Sequence, residues 1–342
     1  MVEIDAPPPP MLNEPSSGGD RQKRVVLAAV VLAAATVVVT LLVLRVLGES
    51  APSLPGIGGP GEVPHYVTSA YGVTRPLGVA VSTSGNRVYV TESDGKRAVR
   101  VFDAGGKPTG SLQWPGAAAA HVPVYVAVDP LTDDVYVSER MTQAVYVFGP
   151  TGAFRHVLAP ELEDLGGGWQ PLGLTFDQRG LLYVTDVSGP VNRIVVLRRN
   201  GSVARVIGAG SKLSFPNGLA IDPRGNVYAT DSNNGRLVIF TRSGKLAAAV
   251  NRGTDAGNLG LPRGVAIDGQ DRLYVVDTTG HAVHVYRLAD AQAGDVPRFV
   301  GNFGLEGVRD GAFEYPNGVA VGTHGRIYVT DRENNRIQIW SY

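Results

Sequence analysis

Residues 216–231 read PNGLAIDPRGNVYATD, and residues 316–331 read PNGVAVGTHGRIYVTD. Both segments open with Pro-Asn-Gly, continue as a short apolar strand, turn at a Gly-containing loop and close a second strand with Thr-Asp. Four weaker copies precede or separate them, and the six copies open at Pro76, Pro123, Pro171, Pro216, Pro262 and Pro316. Their spacings of 47, 48, 45, 46 and 54 residues, with several short strands in each repeat, are typical of a β-propeller.

The last repeat is incomplete, and the chain offers a strand that can complete it. Most repeats hold four apolar, β-branched segments with period-two alternation, whereas the sixth ends at Tyr342 after its third. Residues 67–72 resemble residues 299–304, which form the fourth segment of the fifth repeat. We expect residues 64–72 to pair into the last blade, because this closes the ring and removes an exposed sheet edge. The sequence therefore predicts an all-β, six-bladed propeller over residues 64–342.

The segment in front of the propeller predicts a membrane anchor. Residues 25–44 are twenty consecutive uncharged residues, and a helix of this length spans about 30 Å, the thickness of a hydrocarbon core. The apolar region of a cleaved signal peptide is shorter, about 7–15 residues, and a buried soluble helix would need an amphipathic partner. We therefore predict an uncleaved transmembrane signal-anchor helix at residues 25–47.

The flanking residues predict the orientation of this anchor. Residues 1–24 are rich in Pro, Ser and Gly and read as a disordered tail that ends in three basic residues, against one basic residue at the far end of the span. The positive-inside tendency places this tail in the cytoplasm. Residues 48–63 form a Gly/Pro linker, so the propeller is expected outside the cell, tethered to the membrane through residues 25–47.

Composition removes several classes of function. The 31 basic and 31 acidic residues balance, whereas nucleic-acid binding usually needs a marked basic excess, so no nucleic-acid partner is expected. The chain has no cysteine, which excludes disulfides, cysteine-zinc sites and thiol nucleophiles. No Ser-His-Asp order, nucleophile elbow or phosphate-binding loop is present either.

The repeats resemble the NHL family of six-bladed propellers. The two quoted segments, together with Arg336-Ile-Gln-Ile-Trp340 after the second, carry the resemblance. The second and fifth repeats depart from it, since Tyr125 replaces the glycine of Pro-x-Gly and Ala282 stands where the sixth repeat has Arg336. The resemblance implies the fold. It implies little about function, because a propeller hosts many activities.

Each second strand ends in an acid on the side of the Pro-x-Gly loops. The six acids are Glu92, Glu139, Asp186, Asp231, Asp277 and Asp331. A ring of carboxylates around one mouth is able to hold cations. The alternative, which we favour, is structural: each acid fixes its own loop through backbone N–H groups or a nearby arginine.

The middle residue of each Pro-x-Gly motif lies at the channel mouth, and its identity decides whether the mouth could hold a metal ion. Resemblance to lactonases of the gluconolactonase type makes Asn217 and Asn317 candidate ligands of a divalent metal, which prefers about six oxygen ligands. The other four positions hold Leu77, Val124, Leu172 and Arg263, so the ligand set is incomplete. We expect no cofactor.

What remains is a recognition surface at the channel mouth. We predict that Trp114, Trp169, Asn217, Arg263 and Asn317 belong to it, since aromatic and arginine side chains are common binding anchors. Phe215 and Tyr315 precede two of the prolines on the same rim, where an aromatic residue either serves as a binding anchor or packs between blades, and for these two we favour packing. The predicted function is an extracytoplasmic binding, scaffold or sensor module for a protein, peptide or glycan. The alternative is a metal-dependent propeller hydrolase or lyase.

Overall fold

A computed structural model describes residues 62–342 apart from 118–119, 159, 161, 163–167, 190–191, 253–255 and 289–295. The predicted tail, the membrane span at 25–47 and all but the last two residues of the linker lie outside the described residues. Within the described part of the chain, no helix is long and apolar enough to cross a membrane.

The described chain forms six four-stranded antiparallel sheets, one for each repeat. The first blade holds β2 (Pro76–Val81), β3 (Arg87–Glu92), β4 (Val99–Asp103) and β5 (Pro108–Ser111). The second holds β6 (Pro123–Val128), β7 (Val135–Glu139), β8 (Ala144–Phe148) and β9 (Phe154–Leu158). The third holds β10 (Pro171–Phe176), β11 (Leu182–Asp186), β12 (Arg193–Leu197) and β13 (Val203–Ile207).

The remaining blades follow the same order. The fourth holds β14 (Pro216–Ile221), β15 (Val227–Asp231), β16 (Arg236–Phe240) and β17 (Leu246–Val250). The fifth holds β18 (Pro262–Ile267), β19 (Arg272–Asp277), β20 (Ala282–Arg287) and β21 (Arg298–Phe303). The sixth holds β22 (Pro316–Val321), β23 (Ile327–Asp331), β24 (Arg336–Ser341) and β1 (His65–Ala70). Short 3-10 turns occur at Ser232–Asn234 and Thr323–Gly325.

The sixth blade joins the two ends of the propeller. Strand β1 is its outer strand and pairs antiparallel with β24, from His65 opposite Ser341 to Ala70 opposite Ile337. The edge of β24 is therefore covered by the start of the domain, so that the sixth blade has four strands like the other five and the ring closes.

The core lies between neighbouring blades, because both faces of each sheet meet another sheet. At the junction of the sixth and first blades, for example, Val90 and Phe102 are fully buried against Tyr328 and Ile339. The tyrosine of each second strand is buried in this way, at Tyr89, Tyr136, Tyr183, Tyr228, Tyr274 and Tyr328. This explains why the second strands read as nearly continuous apolar runs.

The glycine of Pro-x-Gly allows neighbouring inner strands to approach closely. A Cβ atom added to Gly173 would lie 1.7 Å from the carbonyl oxygen of Asn217. At Gly318 it would lie 2.4 Å from the carbonyl oxygen of Leu77. Since real side chains do not tolerate such contacts, these positions require glycine.

In four blades the residue before the acid links adjacent blades. The hydroxyl of Thr91 accepts a hydrogen bond from the backbone N–H of Gly78 at 2.8 Å and donates one to the carbonyl of Val124 in the next blade at 2.7 Å. Equivalent bonds to the next blade, 2.5–2.8 Å long, run from Ser138 to Leu172, from Thr230 to Arg263 and from Thr330 to Leu77. In the fifth blade Val276 stands at this position, and Thr278 instead donates to the carbonyl of Pro316 at 2.7 Å.

Candidate ligand-binding face

The face built by the Pro-x-Gly loops is called the loop face below. Each opening proline lies opposite the acid of its blade in the strand register, as Pro76 does with Glu92 and Pro316 with Asp331. The first residues of the six inner strands and the residues that follow the six acids therefore surround one mouth of the central channel.

Tyr125 lies across this mouth. Its hydroxyl group is 3.2 Å from Oδ1 of Asn217 in the fourth blade and 3.2 Å from Nδ2 of Asn317 in the sixth. Burial raises the pKa of Tyr125, although the positive charge of Arg263 and the hydrogen bond to Asn317 oppose this. The phenol is therefore protonated at neutral pH, donating to Asn217 and accepting from Asn317.

Below this tyrosine lies the central channel. Its cavity measures about 310 Å³ and is lined mainly by glycine and aliphatic residues of the inner strands, together with Tyr125, Thr175 and Phe176. Tyr125 is the lining residue whose hydroxyl joins two other blades at the loop face. A ligand approaching from this side therefore meets the hydroxyl of Tyr125 and the side chains above it.

The amide groups of Asn217 and Asn317 are engaged within the protein. Oδ1 of Asn217 also accepts a hydrogen bond from Nη1 of Arg263 at 3.1 Å, while its Nδ2 donates to the hydroxyl of Ser232 at 2.6 Å. Nδ2 of Asn317 donates to the carbonyl of Leu77 at 3.1 Å. The structure thus brings Asn217, Asn317 and Arg263 together at the mouth. Both asparagines bind the hydroxyl of Tyr125, and Asn217 also binds the guanidinium of Arg263.

The described residues contain no group of three or more His, Cys, Asp or Glu side chains placed to hold a metal ion. A divalent metal at Asn217 and Asn317 would also have to displace the guanidinium of Arg263, whose positive charge opposes a second cation nearby. The donor set at the mouth therefore does not fit a divalent metal.

The six acids of the second strands are buried and hold the loops. They accept backbone N–H groups of the segments that precede the six prolines, at 2.6–3.2 Å, from Thr74, Val122, Gln170, Ser214, Leu261 and Glu314. Three of the acids are also paired with arginine at 2.7–2.9 Å, namely Asp186 with Arg193, Asp231 with Arg236 and Asp331 with Arg336. The carboxylates of the six acids are thus used by groups of their own blades, which is the arrangement expected of residues with a structural role.

Two of these acids differ in how well they are held. Four donors reach the carboxylate of Glu139, the backbone N–H groups of Val122, Met141 and Thr142 and the hydroxyl of Thr142. Burial opposes its ionisation, but these hydrogen bonds prevail and lower its pKa. Glu92 has one such bond from Thr74, and its Oε2 has no partner within the described residues. Burial therefore raises the pKa of Glu92.

Three arginines converge on one side of the mouth. Arg263 comes from the fifth blade, Arg332 follows the acid of the sixth, and Arg75 precedes the proline of the first. Glu333 is bound by Nη2 of Arg75 at 2.7 Å and lies 3.4 Å from Nε of Arg332. Burial lowers the pKa of Arg332, Glu333 raises it, and the positive charges of Arg75 and Arg263 lower it further.

The opposite side of the mouth is apolar. Val124 and Leu172 are buried with the ring of Tyr125, and Leu77 and Val187 pack against them partly exposed. The mouth is thus divided into an aliphatic side from the first three blades and a cationic side from the fifth, sixth and first blades.

Phe215 and Tyr315 lie exposed on the rim, so the expectation that they pack between blades was wrong. Phe215 is 38% exposed and Tyr315 is 44% exposed. Their φ angles of 54° and 49° lie in the left-handed region, which is unusual for bulky residues. The backbone N–H of Phe215 donates to Oδ1 of Asn192 at 2.6 Å, and that of Tyr315 to Nδ1 of His281 at 3.4 Å. These acceptors hold the strained turns that present both rings to solvent.

The two predicted tryptophans lie partly within blade interfaces. Trp169 is half-buried against the core between the second and third blades. Trp114 is half-buried between the first and second blades, stacked on His121 at 4.5 Å between ring centroids and in edge contact with Tyr146. The indole N–H groups of both have no hydrogen-bond partner among the described residues. Membership of either residue in a binding surface stays a prediction.

Comparison with known proteins agrees with this architecture. The family model for the NHL repeat matches residues 213–240, 259–286 and 313–340, which cover the inner three strands of the fourth, fifth and sixth blades. This chain is a six-bladed propeller with NHL repeats. No curated protein sequence matches it.

Solved structures share the fold of this NHL propeller at low sequence identity. A streptogramin B lyase is 15% identical, with 82% of this chain and 96% of that chain covered at a TM-score of 0.57. A virginiamycin B lyase from Staphylococcus aureus is 16% identical, with 82% and 99% covered at a TM-score of 0.56. A chain of a nidogen/laminin complex is 22% identical, with 66% and 83% covered at a TM-score of 0.52. At such identities the likeness shows the fold alone.

Sequence reasoning missed three residues of the NHL propeller's mouth. Tyr125 carried a signal, since it is the one bulky residue at a position where the other five repeats have glycine. Arg75 carried little, because arginine is not repeated at its position, and Arg332 shares its position only with Arg140 of the second repeat. Their relevance depends on a closed ring that brings residue 75 beside residue 333.

Proposed function

We propose that this NHL propeller is a ligand-binding module that recognises a protein, peptide or glycan through its loop face. The binding supports a scaffold or sensor role, and the propeller is held outside the cell by the predicted anchor at residues 25–47. The twenty uncharged residues of that anchor and the basic residues before it support this placement.

The position of Arg263 is the observation that carries the proposal. A lactonase-like enzyme needs oxygen ligands converging on a metal at the mouth. Here Arg263 binds the amide oxygen of Asn217, and the phenol of Tyr125 spans the remaining distance to Asn317. The side chains at the mouth are therefore suited to hydrogen bonding and charge pairing with a ligand.

The rim supports recognition in a second way. Phe215 and Tyr315 hold exposed rings on left-handed backbone turns that are fixed by neighbouring blades. Strained residues of this kind are concentrated at binding and catalytic sites, and rigid aromatic side chains are frequent anchors of protein interfaces.

Metal analysis combined with a hydrolysis screen tests this function. The full chain is purified without chelators, its metal content is measured by mass spectrometry, and turnover of a panel of aliphatic and aromatic lactones is assayed with added Mn²⁺, Ca²⁺ or Zn²⁺. We expect no stoichiometric metal and no turnover above the protein-free rate. A bound divalent ion near one per chain, together with lactone turnover that Asn217→Ala abolishes, would overturn the proposal.

A further inference from the structure

The cationic side of the mouth holds hydrogen-bond donors that the protein leaves without a close partner. The buried Nε atoms of Arg75 and Arg263 have no hydrogen-bond partner within the described residues, and that of Arg332 has only the carboxylate of Glu333, at 3.4 Å. Buried donors are satisfied in the large majority of cases, so the two at one site require an explanation. A carboxylate bound among the three guanidiniums, which turn their donors toward it, supplies one.

The local balance of charge points to an anion. Three guanidiniums meet at this side, and Glu333 is the carboxylate that contacts two of them. Arg263 instead contacts the neutral side chain of Asn217. Because neighbouring guanidiniums repel, the trio gains from a second negative group, and the fork of arginine matches a carboxylate in two parallel bonds.

The surroundings of the trio indicate what carries the carboxylate. The exposed rings of Phe215 and Tyr315 stand two residues before Asn217 and Asn317, on the rim of the same mouth. Residues two apart in an extended peptide project from one side of the chain at a spacing of roughly 7 Å. An acidic side chain can thus enter the mouth while its apolar neighbours contact the rim.

We infer that Arg75, Arg263 and Arg332 form a subsite for a carboxylate of an extended peptide, with Phe215 and Tyr315 contacting apolar residues beside it. This inference rests on the proposed function and specifies its ligand. The aliphatic side of the mouth, at Leu77 and Val187, receives the opposite flank of the peptide.

A displayed library of random 12-residue peptides tests the inference, because it offers acidic and neutral sequences to the loop face alike. The full chain is immobilised in detergent and used for selection, and enriched peptides are synthesised for affinity measurement. We expect enrichment of peptides with Asp or Glu at a fixed position two residues from an apolar residue. Replacing that acid by its amide is expected to weaken binding about 10- to 100-fold, as for loss of a charge-assisted hydrogen bond.

Variants separate recognition from folding. R263Q and R332Q are expected to weaken binding of the selected peptides by a similar factor, whereas R242Q, on an exposed turn after β16 at the other end of the blade, should not change it. E333Q is expected to strengthen binding, because it removes the carboxylate that competes for Arg75 and Arg332. An unfolded variant cannot produce that gain.

Each alternative result is decisive. If peptides are selected but show no acidic preference, and R263Q binds them equally, the carboxylate subsite is refuted while the binding function stands. If acidic oligosaccharides bind in a manner sensitive to R263Q and no peptide is enriched, the peptide assignment is wrong. If nothing binds through residues of the loop face, both the inference and the proposed function fail.

Discussion

The hydroxyl of Thr330 joins the sixth blade to the first, and replacing Thr330 with valine removes that link at nearly constant volume. The hydroxyl accepts from the backbone N–H of Gly318 at 2.6 Å and donates to the carbonyl of Leu77 at 2.8 Å. Thr330 is fully buried, so no water replaces it. An unsatisfied buried donor or acceptor costs about 1–3 kcal/mol. We expect Thr330→Val to lower the free energy of unfolding by roughly 2–4 kcal/mol. The loss of two hydrogen bonds is partly compensated because the valine methyl groups pack in the space of the threonine side chain.

Urea denaturation of residues 62–342 measures this effect. Trp340 is buried in the strand next to β1, so its fluorescence reports on the closing blade once Trp114 and Trp169 are replaced by phenylalanine in the wild type and the variants alike. Far-ultraviolet circular dichroism reports on all blades. For a domain of this size the loss corresponds to a lowering of Tm by about 3–7 °C. Thr330→Ser is the matched control, because Ser138 makes the equivalent bond to Leu172 at 2.7 Å. Equal stability of Thr330→Val and the wild type, or equal destabilisation by serine and valine, would refute the reasoning.

Four further predictions concern the acids, the mouth and the closure. Glu92→Gln should raise the free energy of unfolding at pH 7, because a raised pKa means that the ionised form destabilises the folded state, and the gain should vanish in acid. Glu139→Gln should lower the free energy of unfolding at pH 7, since the stability from a lowered pKa is present above the unfolded pKa of about 4.3 and is lost as the pH falls. Urea titrations from pH 3 to 8 measure the effects of both glutamate variants, and changes of the same sign at pH 7 would contradict these two predictions. Tyr125→Phe should cost only about 1 kcal/mol in urea denaturation, because both asparagines keep other partners, whereas a loss above about 3 kcal/mol would show that the phenol has a larger structural role. Deletion of residues 64–72 should lower the midpoint for all six blades together, and an unchanged cooperative transition would contradict ring closure.

The fold could be predicted because its physical requirements recur in every repeat. Pro-x-Gly marks a position where a Cβ atom would meet the next inner strand, as at Gly173. The Thr-Asp end of the second strand supplies one hydroxyl to the adjacent blade and one carboxylate to the loop, as Thr330 and Asp331 show. Such local, repeated demands are readable from sequence alone.

The composition of the mouth could be predicted only in part. Asn217, Arg263 and Asn317 were recognisable because they occupy one repeat position. Their partners were not, because Tyr125 reaches asparagines 92 and 192 residues away in sequence. Long-range pairs of this kind depend on the radius of the ring and on rotamers, neither of which periodicity specifies.

The exposure of the rim aromatics was predicted wrongly for a related reason. An apolar residue before a proline suggests burial, and sequence alone gives no sign of its φ angle. Asn192 and His281, from the preceding blades, fix Phe215 and Tyr315 in the left-handed region and turn their rings outward. A hydrogen bond across a blade boundary thus decides which side chains the loop face presents.

Photo-crosslinking in intact cells tests the central claim most directly, namely that the loop face binds the ligand. A benzophenone amino acid is placed at Tyr315 on the rim or at Leu131, which is 58% exposed in the turn at the opposite end of the second blade. The account predicts a discrete light-dependent adduct from position 315 that is absent from position 131 and lost when R263Q is added. An adduct from position 131 alone, or equal adducts from both positions that R263Q leaves unchanged, would contradict it.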